Sequence, residues 1–257
     1  MKSEEYGKVY NKCIKEVSSL VREITHLEKT QLKIEKKAKN ATEEENKFFN
    51  DEEDIFFEMA KHKIYKINQT NDLFIGKVIN GNMTGFGSYL FEDKNKYIGN
   101  FKDGKMSGIG KFIFRNGEEY IGNFLDDQIT GFGKITYTSK EHYVGDFSMG
   151  KKEGKGVYTF KNNSYYVGDY KNNKRDGYGI LYNSSGEVIF YGDFKKDFPN
   201  GFGTYIWYEG KKYVGEFMNG RKHGHGSFYL NNEIVYEGDF RFDKPSIFNK
   251  TLDQIFF

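Results

Sequence analysis

The chain has 257 residues, 39 basic and 37 acidic, for a formal net charge of +2, and this near-neutral balance excludes the basic footprint of a nucleic-acid-binding protein. Aromatics reach 18%, almost all Phe and Tyr, beside 30 glycines and two prolines; neither a disordered acidic tail nor an ordinary core-forming globule has that composition. The single cysteine, Cys13, excludes an intrachain disulfide framework and a multi-cysteine zinc site, and with no long apolar run and no signal-peptide pattern at MKSEEYGK the expected compartment is the cytoplasm.

Residues 1–40 carry a helical pattern. Tyr6, Tyr10, Cys13, Val17, Leu20, Ile24, Leu27, Gln31 and Ile34 are separated by alternating steps of four and three, a heptad seam flanked by Lys and Glu. No breaker follows Gly7, so a helix is predicted from about Lys8 to Lys39. The seam fits three uses: a coiled coil, docking onto a partner through Tyr6, Tyr10, Val17, Leu20, Ile24, Leu27 and Ile34, or packing on an apolar sheet face. Residues 41–70 read as an acidic second helix and a connector. Thr42 and Glu45 form a capping box, Phe48, Phe49, Ile55, Phe56 and Met59 share one face, and KIYKINQT reads as an edge strand.

From Phe74 onward the sequence repeats itself with a spacing of about 23 residues. If the leading aromatic is position 1, as at Tyr143, then Gly145, Phe147, Gly150, Gly154 and Gly156 fall at positions 3, 5, 8, 12 and 14. The frame returns at Phe74, Tyr97, Tyr120, Tyr166, Phe190 and Tyr213, and a truncated eighth copy starts at Tyr236. Positions 1, 3 and 5 share one face of a strand because side chains alternate, and the glycine between two aromatics clears room for rings. Positions 12, 14, 16 and 18 are read the same way on a second strand, with a polar turn between whose glycine at position 8 suits a positive φ. Each copy is therefore a β-hairpin. The opposite face bears a second apolar stripe, with Ile98, Val144 and Val167 among the residues at position 2 and Ile109, Tyr178 and Phe202 among those at position 13. The predicted fold is mainly β: residues 71–243 form an elongated, single-layer, twisted antiparallel sheet of stacked hairpins, with an N-terminal helical extension and a tail at 244–257.

The pattern YxGxF, a turn, and then GxG in seven phased copies resembles the MORN repeat. Its departures are local: Phe74 and Phe190 replace the leading Tyr, and Asp127, Asn173 and Asp197 replace the turn glycine. The resemblance implies a non-enzymatic scaffold whose partners are other proteins of a larger assembly, cytoskeletal or ciliary axonemal in kind.

The chemical alternatives are weaker. GKKEGKG lacks the Gly-Lys-Ser/Thr ending of a phosphate loop and recurs as part of the repeat. His223 and His225 share a face with no further ligand in view, and Asp146, Asp169, Asp193 and Asp239 recur at position 4, as lysine-pairing surface residues would. No catalytic, cofactor-binding or metal-binding residue is identified. The turns do carry a run of cations: Lys102, Lys105, Lys151, Lys152, Lys174, Arg175, Lys195, Lys196, Arg221 and Lys222. Stacked hairpins would set them along one edge, where they either keep the sheet soluble or attract acidic protein tails or anionic membrane lipid. Apolar residues in IFNKTLDQIFF leave a homo-oligomer open as a third option.

Overall fold

The computed structural model describes residues 2–43, 63–67 and 71–246. Among these the chain has one helix, α1 (Lys2–Glu43), and seventeen strands, all paired antiparallel where their register is given. It forms two compact units, one of residues 12–151 and one of residues 1–11 with 152–257. In the first lie β1 (Lys63–Lys66), β2 (Leu73–Ile79), β3 (Asn82–Leu90), β4 (Lys96–Lys102), β5 (Lys105–Ile113), β6 (Glu119–Leu125), β7 (Gln128–Thr136) and β8 (His142–Ser148). In the second, apart from Lys151 at the start of β9, lie β9 (Lys151–Thr159), β10 (Tyr165–Lys171), β11 (Lys174–Tyr182), β12 (Val188–Lys195), β13 (Phe198–Ile206), β14 (Lys211–Met218), β15 (Arg221–Leu230), β16 (Glu233–Arg241) and β17 (Lys244–Pro245). We call them the N-terminal and C-terminal units. The edge strand predicted in KIYKINQT is β1, which pairs with β2. The truncated eighth copy gains a two-residue strand, β17, against β16.

One repeat shows how a single layer acquires a core. Gly122 and Gly133 face each other across β6 and β7, and the Tyr120 ring lies over both. A Cβ added at Gly122 would stand 2.3 Å from Tyr120 Oη, and one at Gly133 2.4 Å from the same oxygen. The ring edge is closed by T-shaped contacts with Phe124 of its own repeat and Phe147 of the next, at 5.3 and 5.1 Å. Its hydroxyl donates to the Asn123 carbonyl at 3.2 Å, so a fully buried phenol is satisfied. Tyr97, Tyr143, Tyr166 and Tyr213 repeat this bond; Phe74 and Phe190 keep the ring contacts without it.

The structure separates two kinds of glycine that the sequence reading merged. Position 14 is ring floor, as expected. Position 12 is not: a Cβ at Gly85 would meet nothing within 4 Å, and Gly85, Gly108, Gly131 and Gly154 all have φ between 60° and 73°. The register shifts between positions 3 and 5 of the facing strand, as at Gly99/Phe101 and Gly168/Tyr170, so this glycine supplies the left-handed backbone of a β-bulge. At the turn, both central residues have positive φ, as at Asp103 (51°) and Gly104 (82°), the requirement of a type I′ hairpin. Where the turn glycine is replaced, the side chain compensates. Asp127 holds φ 70° while its Oδ1 accepts the Met106 N–H at 2.8 Å, and Asn173 and Asp197 do the same for Lys152 and Arg175. These bonds, with the turn N–H to the carbonyl of the preceding repeat, stack successive turns laterally within each unit.

The helix begins earlier than predicted, at Lys2 instead of Lys8, and ends at Glu43 instead of Lys39. Gly7 costs a helix roughly 1 kcal/mol, offset here by the burial of Tyr6 to 3% exposure. Thr42, read as the cap of a second helix, lies inside α1. The rest of that predicted second helix, and the tail beyond Ser246, lie outside the described residues.

Candidate functional site

The seam of α1 faces sheet in both units. In the C-terminal unit, Tyr6 makes a tilted ring contact with Tyr178 at 5.3 Å and Tyr10 one with Tyr165 at 5.2 Å. The Tyr6 hydroxyl donates to Asp169 Oδ2 at 2.8 Å, and Lys155, 3.0 Å from Asp169 Oδ1, lies 4.5 Å above the Tyr6 ring and 3.3 Å from Glu5. Burial, together with the bond to Asp169, pushes the Tyr6 phenol up to about 12. Burial alone would lower the Lys155 ammonium, but Asp169 and Tyr6 outweigh it and hold the group above its ordinary value. Asp169 also accepts the Tyr178 N–H at 2.9 Å, the donor released by the bulge.

In the N-terminal unit Cys13, Leu20 and Ile24 are buried, Ile24 to 1% exposure, and Val17 is half-buried. Glu28 reaches Lys111 at 2.8 Å, and Lys111 also pairs with Glu119 at 3.4 Å. Burial, followed by the charge of Asp146, pushes the Cys13 thiol up to about 12, which makes it a poor nucleophile at neutral pH. The side chains of Leu27 and Ile34, named with the same seam, lie outside the described residues. Sequence reasoning missed the flank of the helix. Ile14, Val21 and Leu32 are 47%, 40% and 53% exposed, and steps of seven and eleven bring them onto one line at 100° per residue. That spacing was available in the sequence, but the deeper seam concealed it.

The ten turn cations divide into two groups. Lys102, Lys105, Lys151, Lys174, Lys195, Lys196 and Arg221 are exposed at the turns. Lys152, Arg175 and Lys222, all at position 10, lie instead over the aromatic face: Lys152 over Tyr158 and Tyr170, Arg175 over Tyr166 and Phe194, and Lys222 over Trp207 and Phe228 among others. Burial lowers the ammonium groups of Lys152 and Lys222. In the N-terminal unit position 10 is Met83, Met106 and Ile129, and there the rings leave an apolar groove of about 370 Å³ lined by Met106, Phe112, Phe114, Phe124, Ile129 and Met149.

The remaining candidates have structural partners. His225 stands 3.3 Å from Asp239 and 3.8 Å from Glu237, exposed, and His223 makes a tilted ring contact with Phe242 at 5.0 Å. Among the described residues no group of three or more His, Cys, Asp and Glu could hold a metal ion, and no helix is long and apolar enough to cross a membrane.

Comparison with protein families matches the MORN repeat at residues 74–96, 97–119, 120–141, 143–165, 166–188, 190–212 and 213–233, the seven copies read from the sequence. Comparison with curated proteins gives no match. Among solved structures, the chain is similar to the TCP domain of SAS-4 from Drosophila melanogaster, in complex with a proline-rich motif of Ana2, at 10% identity and TM-score 0.39, covering 75% of this chain and 98% of that one. It is also similar to the TCP10 domain of CPAP from Danio rerio, at 12% identity and TM-score 0.32, covering 66% and 85% respectively.

Proposed function

The chain belongs to the MORN-repeat family, and on that premise we propose that it is a non-enzymatic protein-binding scaffold docked into a cytoskeletal assembly, of which the ciliary axoneme is the type. One observation carries this reading. With Tyr6, Cys13, Leu20 and Ile24 of its seam buried, α1 still presents Ile14, Val21 and Leu32 in a single exposed line, beside solvent-side pairs such as Lys12 with Glu16 at 3.8 Å. An apolar line on an otherwise charged helix surface is the pattern by which one helix recognises another. The test uses the full chain, tagged and expressed in ciliated cells. Changing Ile14, Val21 and Leu32 to Glu together should release the protein from the detergent-resistant skeleton while leaving its thermal unfolding unchanged. Full retention of that variant would refute the assignment.

The exposed turn cations favour a second reading, a peripheral adaptor on anionic lipid, since each lysine near such a surface contributes about 1 kcal/mol. Acidic neighbours dilute the field, as where Lys105 lies 4.0 Å from Asp126. Sedimentation with phosphatidylserine vesicles tests it: binding should fall with salt and be lost when Lys151, Lys174, Lys195 and Lys196 become Glu. Equal binding by that variant would remove the reading.

A further inference from the structure

The C-terminal unit builds one docking arrangement twice, and α1 covers the first. There, Asp169 Oδ2 accepts both the Tyr178 N–H at 2.9 Å and the Tyr6 hydroxyl at 2.8 Å, while the Tyr6 ring lies on Tyr178. One repeat further along, Asp193 stands in the place of Asp169 and Phe202 in that of Tyr178. Asp193 Oδ2 accepts the Phe202 N–H at 3.1 Å, so the carboxylate is held in the same way. Tyr191 takes the place of Val167. The burial is reversed: Val167 is 0% exposed, whereas Tyr191 is 38% and Phe202 58% exposed.

The two copies also differ in charge. Asp169 is matched by Lys155, its cross-strand neighbour at 3.0 Å. Asp193 faces Tyr178 across the strands, and Glu216 of the following repeat faces Phe202. Glu216 accepts the His225 N–H at 3.3 Å, and neither carboxylate has a cation opposite it. An occupant of this face therefore supplies the positive charge itself.

We propose that Tyr191, Asp193, Phe202 and Glu216 form a docking surface for a basic amphipathic helix of a partner protein. It would be seated as α1 seats its first turns, with an aromatic or aliphatic side chain on Phe202 and Arg or Lys against Asp193 and Glu216. The occupant is a helix because the surface continues, within the same unit, the face on which α1 already packs. It is basic because the carboxylates demand it, which disfavours the acid-rich residues 44–62 of this chain. The proposal rests on the protein-binding reading but not on the flank of α1.

The probe is a fluorescein-labelled synthetic helix of about twenty residues with Tyr and Leu on one face flanked by Arg, titrated into the full chain and followed by anisotropy. Binding is expected, weakened at least tenfold by Phe202→Ser and by Asp193→Asn combined with Glu216→Gln. It should change less than twofold in Phe198→Ser, a control at another exposed phenylalanine. A probe with Arg replaced by Glu should not bind. Circular dichroism confirms that each variant is folded. Equal affinity for Phe202→Ser and wild type, or equal binding of the acidic probe, overturns the proposal. So does binding that becomes tenfold tighter when the chain is cut after Ser246, since residues 247–257 would then be the occupant. The α1 flank variant should bind the probe normally, so the two readings fail separately.

Discussion

Met83, Met106 and Ile129 in the N-terminal unit stand where Lys152, Arg175, Pro199 and Lys222 stand in the C-terminal unit; at position 4 the N-terminal unit has Lys77, Asn100, Asn123 and Asp146, and the C-terminal unit has Asp169, Asp193, Glu216 and Asp239. The hairpin that carries them is the same. In both units a buried aromatic lies across a glycine pair and is closed by the position 5 ring of its own repeat and the next. The Asn side chains of the N-terminal unit donate to a bulge carbonyl, as Asn123 does to Phe132 at 3.0 Å, while the carboxylates of the C-terminal unit accept the bulge N–H instead. The repeat thus fixes a few positions for folding and leaves positions 4 and 10 free to set the charge of each face. The N-terminal unit leaves position 10 neutral and mixes Lys77 and Asp146 with two asparagines at position 4. The C-terminal unit places cations over the aromatic face and carboxylates on the other.

The comparison breaks first if the shared floor is not shared. Gly122→Ala and Gly168→Ala each place a Cβ against a buried tyrosine, at 2.3 and 2.2 Å from its hydroxyl oxygen, and should each cost about 3 kcal/mol or more in urea denaturation. Tolerance of one and not the other would mean that the units are built differently. Ile24→Ala removes a fully buried side chain of α1 in the N-terminal unit and should cost about 2 kcal/mol in the same measurement.

Tyr6→Phe tests the helix packing of the C-terminal unit and should cost about 1 kcal/mol at pH 8, the net worth of one hydrogen bond. The phenol is raised from 10.0 to about 12 in the folded chain. Its contribution is therefore complete below pH 10 and is lost as the pH rises through 12. Denaturation at pH 8 and pH 12 should show the difference between wild type and Tyr6→Phe closing. Lys222→Met imports the residue that the N-terminal unit uses and should have the smallest effect, under about 1 kcal/mol in thermal unfolding. Removing the cation–π attraction is offset by relieving a buried ammonium. A larger effect would show that the position 10 cations contribute to folding as well as to charge.

Much of this was legible in the sequence because the repeat spacing assigns each aromatic and glycine to a face before any contact is known. The hairpins and the Tyr-Gly pairing follow from alternation and the turn residues, and the edge strand read in KIYKINQT is Lys63–Lys66. The two roles of glycine did not. Gly131 and Gly133 differ only in where the partner strand slips register, which is a property of the pairing and not of either residue. Asp127, Asn173 and Asp197 looked like departures because their compensation is a side-chain bond to the preceding repeat. The seam of α1 was visible, but an apolar stripe does not name what covers it. Lys152, Arg175 and Lys222 read as edge charges because a long side chain can lay its stem along rings several residues away.

The burial of the α1 seam on sheet underlies the assignment of the flank, and in the N-terminal unit Cys13 reports on it directly. Reaction of the native chain with a thiol-specific reagent at pH 8 should be at least tenfold slower than in 6 M urea, because Cys13 is 3% exposed and its burial raises the thiol. It should accelerate in Ile24→Ala. Labelling of the folded wild type as fast as the unfolded chain would place the seam in solvent and contradict the packing of α1 on the sheet.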